Sequence, residues 1–261
     1  MTKFYARYDG LKEYQKLICH VCVAAVTFWA RMSVAWTQKG GTMNRIVKVL
    51  AVVLFASGVT VFAADKAGIV YIDGDVSMNG SPAAVGDEVL PGAVLTTAKD
   101  SVCQIVFNSK NIIHMAAGTT LRFDEKVLSR GATLQKGAIA MVLRNLNPFI
   151  AAKPGDELRF TIKTSTTVAG VRGTCFFVAV EDDNNTYVCA CNGVLHLEGI
   201  GGQFTQNLAS SHHREVRITR SGSGISVNAA PLLYHTDQDV EAIAARIGET
   251  IDWTKIDRSN P

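Results

Sequence analysis

Several things are scarce in this sequence, and each shortage excludes a class of protein. Six cysteines in 261 residues are too few for a disulfide-dense small domain. At 48% hydrophobic and 19% charged, the chain needs no staple to form a core, and its length allows one or two domains. Neither apolar stretch, Leu17 to Ala30 or Val49 to Val61, reaches the ~20 residues of a membrane-spanning helix. Catalytic signatures are missing too. There is no G-x-S-x-G, no H-E-x-x-H and no phosphate loop, since Gly170-Val171-Arg172-Gly173 is too short for one. A thiol enzyme built on Cys175 and a His base has the residue types but no identifiable acid or oxyanion element. The chain reads as non-enzymatic.

Positive charge is scarce where a nucleic-acid partner would need it. The formal charge is +3, but residues 1–63 hold eight Lys/Arg against two Asp/Glu, and the remainder holds 18 against 21. A slightly acidic body without a basic stripe argues against nucleic acid. The positive excess belongs to a targeting segment. Arg45 and Lys48 after Met43 form a basic n-region, Val49 to Val61 an apolar core, and Val61-Phe62-Ala63 a small-residue cleavage site. Residues 43–63 therefore read as a signal peptide cleaved before Ala64, implying a periplasmic location, or a membrane tether if cleavage fails. Residues 1–42 read as an upstream extension. Its Cys19-His20-Val21-Cys22 has no second ligand pair and lacks the His after the second Cys that haem attachment requires.

From Ala67 onward, short apolar runs alternate with Gly, Asp, Asn and Ser every 8 to 12 residues, the spacing of an all-β protein. Gly68 to Ile72, Ala93 to Thr97, Val102 to Phe107, Asn111 to Met115 and Gly137 to Leu143 are such runs. Leu158, Phe160 and Ile162 alternate with Arg159, Thr161 and Lys163, giving one buried and one wet strand face. Asn145 to Gly155, with two prolines and a glycine, reads as a loop. Cys103 and His114, in separate strands, are assigned to the core. The fold expected is mainly β, a sandwich or short solenoid-like body over 64–220. Residues 221–261 are expected to be a loop and one amphipathic helix, capped at Thr236 or Asp237, with Val240, Ile243, Ala244, Ile247 and Ile251 on its apolar face.

The densest signal runs from Thr164 to Gly193. The turn-like Val168-Ala169-Gly170-Val171-Arg172-Gly173-Thr174 feeds an apolar run, Cys175 to Val180. Asp182 to Asn185 reads as a loop, Tyr187 to Cys191 as a strand, and Asn192-Gly193 as a hairpin turn. Arg172, between glycines, can fork onto carbonyls or a carboxylate and pin the hairpin base. The VAGVRGT block, with Gly68-Ile69-Val70, Asp73-Gly74-Asp75-Val76, Val85 to Val89, Pro91 to Thr97, Gln104 to Phe107 and Gly118 to Phe123 upstream in order, resembles the FecR-like domain, over roughly Ala67 to Leu197. That family is best known as the periplasmic part of regulators in bacterial iron uptake. The resemblance implies a sensory, regulatory or scaffolding module that binds a protein partner in the cell envelope. Forty-two residues before Met43 are too few for a cytoplasmic sigma-factor-binding domain, which implies a stand-alone exported form.

The Cys and His residues around this region are not explained by the resemblance. Across an Asn192-Gly193 turn, Cys191 would lie opposite Val194 and Cys189 opposite His196, so Cys189, Cys191 and His196 would share a face. Two thiolates and an imidazole are three of the four ligands of a tetrahedral zinc or iron site. One of His212 and His213 would be the fourth, because neighbours on a strand face opposite ways. Cys175 joins this face only if the 180s loop has an odd number of residues. The alternatives are a Cys175 disulfide to Cys189 or Cys191, favoured in an oxidising compartment, or simple packing of buried thiols.

Overall fold

The computed structural model describes residues 67–107, 109–124, 131–144, 160–171 and 174–257. The proposed signal segment, the 1–42 extension, the 145–155 loop, Arg172 and Gly173 lie outside these residues.

The described chain is mainly β, as expected. Its strands are β1 (Ala67–Asp73), β2 (Val76–Met78), β3 (Ser81–Pro82), β4 (Glu88–Val89), β5 (Val94–Thr97), β6 (Val102–Phe107), β7 (Asn111–Met115), β8 (Thr120–Phe123), β9 (Gly131–Leu143), β10 (Phe160–Lys163), β11 (Thr167–Val171), β12 (Cys175–Val180), β13 (Asn185–Gly199), β14 (Thr205–Ser210), β15 (Arg214–Ser221) and β16 (Gly224–Ala229). One helix follows, α1 (Asp237–Ala245). Strand β16, within a stretch expected to be loop and helix, pairs with β15 along its whole length.

Two layers result. The first runs β4-β1-β6-β7-β9-β12-β13-β15-β16, and the second runs β3-β2-β5-β8-β9-β10-β11-β13-β14. All pairings are antiparallel except β9 with β10. The long strands β9 and β13 belong to both layers. Alternation puts one face of each strand into a shared core, with Leu95, Leu121 and Leu195 from one layer meeting Ile105, Ile113, Met141, Phe176 and Val188 from the other. Phe107 and Phe160 stack across it at 5.3 Å.

A strand can pass between layers only where its side-chain parity can break, and glycine marks both crossings. Gly137 (φ +81) and Gly193 (φ +126) each sit under a threonine, Thr119 and Thr174. Those hydroxyls donate to the backbone carbonyls next to the glycines, Thr119 to Ala138 at 3.0 Å and Thr174 to Asn192 at 2.6 Å. A Cβ on Gly137 would stand 2.6 Å from Thr119 Cα, and one on Gly193 would stand 2.6 Å from Thr174 Cβ, so only glycine fits.

This overturns the expected Asn192-Gly193 hairpin turn. Both residues lie inside the 15-residue β13. The positive φ that glycine supplies is used at the layer crossing, where the β12 pairing slips between Cys175 and Phe176. Before Gly193 the odd residues Tyr187, Cys189 and Cys191 face away from the main core; beyond it Leu195 and Leu197 face into it.

A second apolar cluster covers the outer face of the first layer. Ile112, Val142, Cys175, Phe177, Tyr187, Cys189 and Cys191 meet Val240, Ile243 and Ala244 of α1 there. Thr236 caps α1 in a capping box with Asp239, and burying Val240 and Ile243 contributes about 1.5–3 kcal/mol each. The helix ends at Ala245, shorter than its apolar pattern suggested. Ile247 and Ile251 lie beyond it and still pack on the same cluster. Asn192, 1% exposed, ties the end of this segment down: its Nδ2 donates to the carbonyls of Ser211, Asp252 and Lys255, and its Oδ1 accepts from Asp257 N–H.

Candidate functional site

The outer face of β13 carries the chemistry. Cys189 and Cys191, two residues apart, point the same way and bring their sulfurs to 3.7 Å. The loop before β13 spans the five residues between Val180 and its partner Thr186, an odd number, so Cys175 faces the same cluster. All four described cysteines are free thiols and fully buried. Cys103 is in the main core, where burial pushes its thiol up to about 12.

Two imidazoles close on the Cys pair. His213 stands in the connection from β14 to β15 with φ +50, a left-handed conformation uncommon away from glycine. Its backbone N–H donates to Cys191 C=O at 2.9 Å, which sets its Nδ1 3.3 Å from Cys189 Sγ. His235 arrives from the segment before α1, its Nε2 3.4 Å from Cys191 Sγ, with its ring stacked on Phe177 at 4.5 Å. The ligand atoms of Cys189, Cys191, His213 and His235 all lie within 4.8 Å of one another.

The far nitrogens identify the tautomers. His235 Nδ1 lies 2.9 Å from Leu233 C=O, which can only accept, so this nitrogen carries the proton. His213 Nε2 meets the Asp237 carboxylate at 2.7 Å and donates likewise. The nitrogens that face the sulfurs are therefore His213 Nδ1 and His235 Nε2. His212 also reaches Asp237, at 2.9 Å, but is half exposed and points its ring at Asp237 and Trp253. The strand parity that was to separate the two histidines does not operate, because they sit in a turn with their rings 5.0 Å apart.

His196 is not part of the cluster. With no turn at 192–193 it is carried into the second layer, where its Nδ1 meets Asn207 Oδ1 at 2.8 Å. His235 takes the place expected of it. Nothing in local spacing announces His235; its only sequence cue is its position immediately before the helix cap Thr236. His114 lies half-buried beside Gln104 at 3.1 Å instead of in the core. Of the expected structural motif, Gly170 is buried within β11 opposite His196, and Thr174 is the corner threonine.

The electrostatics are those of a polarised thiol pair. The Cys191 thiol, with His213 and His235 behind it, holds Cys189 down to about 4 against the opposing effect of burial. Burial, then Cys175 and Cys189, push Cys191 well up. Burial lowers His213, and Cys189 and Asp237 outweigh it to give a net rise. The order Cys189–His213–Asp237 matches a thiol nucleophile, base and orienting carboxylate. Cys189 and Cys191 are nevertheless fully buried, packed with Tyr187, Phe177 and the C-terminal Val240, Ile243 and Ala244.

A two-layer β body with crossing strands and a helical C-terminal cover is the architecture. Residues 93–195 match the family model described as FecR protein. The matched segment runs from before β5 into β13 and contains Cys175, Cys189 and Cys191; His213, His235 and Asp237 lie beyond it. Two crystal structures of a "putative anti-sigma factor" from Parabacteroides distasonis ATCC 8503 are similar at 17% identity and a TM-score of 0.39, covering 52% of this chain and 59% of that one. No curated protein matches the chain.

Proposed function

We propose that this chain is an exported cell-envelope module that acts in sensing or regulation by binding a protein partner, without catalysing a reaction. The observation that carries this reading is the FecR match across the centre of the β body. The chemistry of the described surface agrees with it. The Cys/His cluster is largely buried, and two open recesses lie around Pro91 and around Asp257.

Binding would use a strand edge, but not one within residues 168–193. Strands β11 and β12 are paired on both sides, β11 by β10 and β13 and β12 by β9 and β13. The edges among the described residues lie at the two ends of the layers. At one end, β3 and β4 are two residues long, and Pro82 or Glu88 blunts each. At the other, β14 (TQNLAS) and β16 (GISVNA) are six residues long and contain no charge and no proline. An edge left unblunted is a template for an added strand, so an extended segment of the partner docks on β16.

Photo-crosslinking from single positions in the producing bacterium tests this. A crosslinker at Ser226 or Asn228, both exposed, should give one discrete protein adduct in the envelope fraction, and one at exposed Gly80 near β3 should give none. Equal labelling from all three positions, or none from β16, would contradict the proposal.

A further inference from the structure

We propose that Cys189, Cys191, His213 and His235 bind one zinc ion in a closed, structural Cys2His2 site that fastens the C-terminal segment onto the FecR β body. Four observations converge on it.

Three of the six donor separations already match those around a tetrahedral ion, and all six lie within 4.8 Å. Zn–S near 2.3 Å and Zn–N near 2.0 Å imply ligand separations of about 3.8 Å for S···S and about 3.5 Å for S···N. The corresponding distances here are 3.7 Å between the sulfurs, 3.3 Å for Cys189 to His213 and 3.4 Å for Cys191 to His235. Both imidazoles also have their outer nitrogens occupied by the partners that metal-ligating histidines use, a carboxylate (Asp237) and a backbone carbonyl (Leu233). Each lone pair is thereby aimed inward.

The third observation is the shell. Tyr187, Phe177, Trp253 and Ile243 surround the four residues and exclude water, which suits a closed site with no open coordination position. The fourth is charge. Zinc binding releases two protons in all, Zn2+ + 2 Cys–SH + 2 His → Zn(Cys–S)2(His)2 + 2 H+. The product carries no net charge, as a buried site requires. Mixed sulfur and nitrogen donors in a tetrahedron select zinc over the hard oxygen-seeking cations.

A disulfide between Cys189 and Cys191 competes poorly for these sulfurs. Cys189 and Cys191 are neighbours on one face of one strand, so their Cα atoms are ~6.6 Å apart along the strand. That is the far limit of disulfide geometry, about 6.8 Å.

The consequence is mechanical. Cys189 and Cys191 belong to β13, His213 to the turn that starts β15, and His235 to the segment that leads into α1. One ion would cross-link all three, adding to the Asn192 contacts at the other end of the same cover.

The test uses the full-length chain, reduced, in a Cys19→Ser/Cys22→Ser background so that the upstream pair contributes nothing. Cobalt(II) titration should show the ligand-field bands of a tetrahedral ion with a thiolate charge-transfer band, saturating at one cobalt per chain. Zinc should then displace it stoichiometrically. Cys189→Ser, Cys191→Ser, His213→Ala and His235→Ala should each weaken binding at least 100-fold, and Asp237→Asn 10–100-fold. His196→Ala and Cys103→Ser should bind like the parent. Cobalt spectra that remain octahedral on the parent chain would overturn the proposal, and they do so without relying on any variant that fails to fold. Two missing thiols in the denatured parent with no metal bound would overturn it as well. So would binding that survives His235→Ala but not His196→Ala.

Discussion

Cys191 Sγ and His235 Nε2 stand 3.4 Å apart although 44 residues separate them in the chain. The contact joins the FecR-matched segment to the C-terminal segment beyond it. The two parts are one packing unit: Tyr187 on β13 accepts at its hydroxyl from Leu233 N–H at 3.1 Å, and Asn192 holds residues 252–257. The C-terminal segment is a cover for a polar cluster and more than a lid on an apolar face.

The Asn192 side chain can be removed to test how firmly that cover is held. Asn192→Ala removes four part-buried hydrogen bonds to backbone groups, each with a net contribution of about 0.5–1.5 kcal/mol. We expect a loss of roughly 3 kcal/mol in urea unfolding and much faster amide exchange over residues 250–257. Unchanged exchange there would show that the cover is held elsewhere.

The layer crossing makes a second prediction. Gly193→Ala puts a methyl group into Thr174 and an L-residue at φ +126, so the loss should exceed about 3 kcal/mol. Gly201→Ala also has positive φ but open space around it, and should cost only about 1 kcal/mol. Equal urea midpoints for the two variants would mean that β13 does not cross between layers at Gly193.

Acid should weaken a specific tie. The Glu181 carboxyl is held below the ordinary range by its hydrogen bonds from Arg217, at 2.6 and 2.8 Å, against the opposing effect of burial, with Tyr234 at 2.7 Å adding to the lowering. A depressed folded-state pKa gives stability that is present above the unfolded value near 4.5 and is lost as pH falls through the folded one. Glu181→Gln should therefore cost up to about 1 kcal/mol at pH 7 and progressively less below pH 4.5. A deficit that stays constant down to pH 3 would mean that the ion pair is not its source.

Charge on the β16 edge should block the partner without disturbing the fold. Asn228→Lys adds an exposed cation to a strand that has none, and such residues prevent strand addition. Crosslinking from Ser226 should disappear while the melting temperature stays within a degree or two. Retained crosslinking would move the docking site away from this edge.

Most strands were legible in the sequence because they are short, alternating and bounded by turn formers; β12 is the Cys175 to Val180 run to the residue, whereas β16 was missed. The site was half legible. Cys189 and Cys191 share a face by strand period alone, and Cys175 follows once the five-residue loop sets the parity. Asn192-Gly193 was misleading for a physical reason: a hairpin turn and a layer crossing both need glycine at positive φ, and local sequence does not distinguish them. His196 fell with that turn. His235 was invisible because its position depends on how the tail folds back over Phe177 and Tyr187, a long-range contact with no local period.

The central claim is that residues from β13, the β14–β15 turn and the C-terminal segment share one metal ion. Native mass spectrometry of the reduced full-length chain tests it most directly. With Cys19 and Cys22 replaced by Ser, one equivalent of zinc should add a single ion to the intact mass with loss of two protons, and His235→Ala should abolish that increment. A parent chain that stays metal-free after zinc is supplied under reducing conditions, or a His235→Ala chain that still gains the ion, would contradict the account.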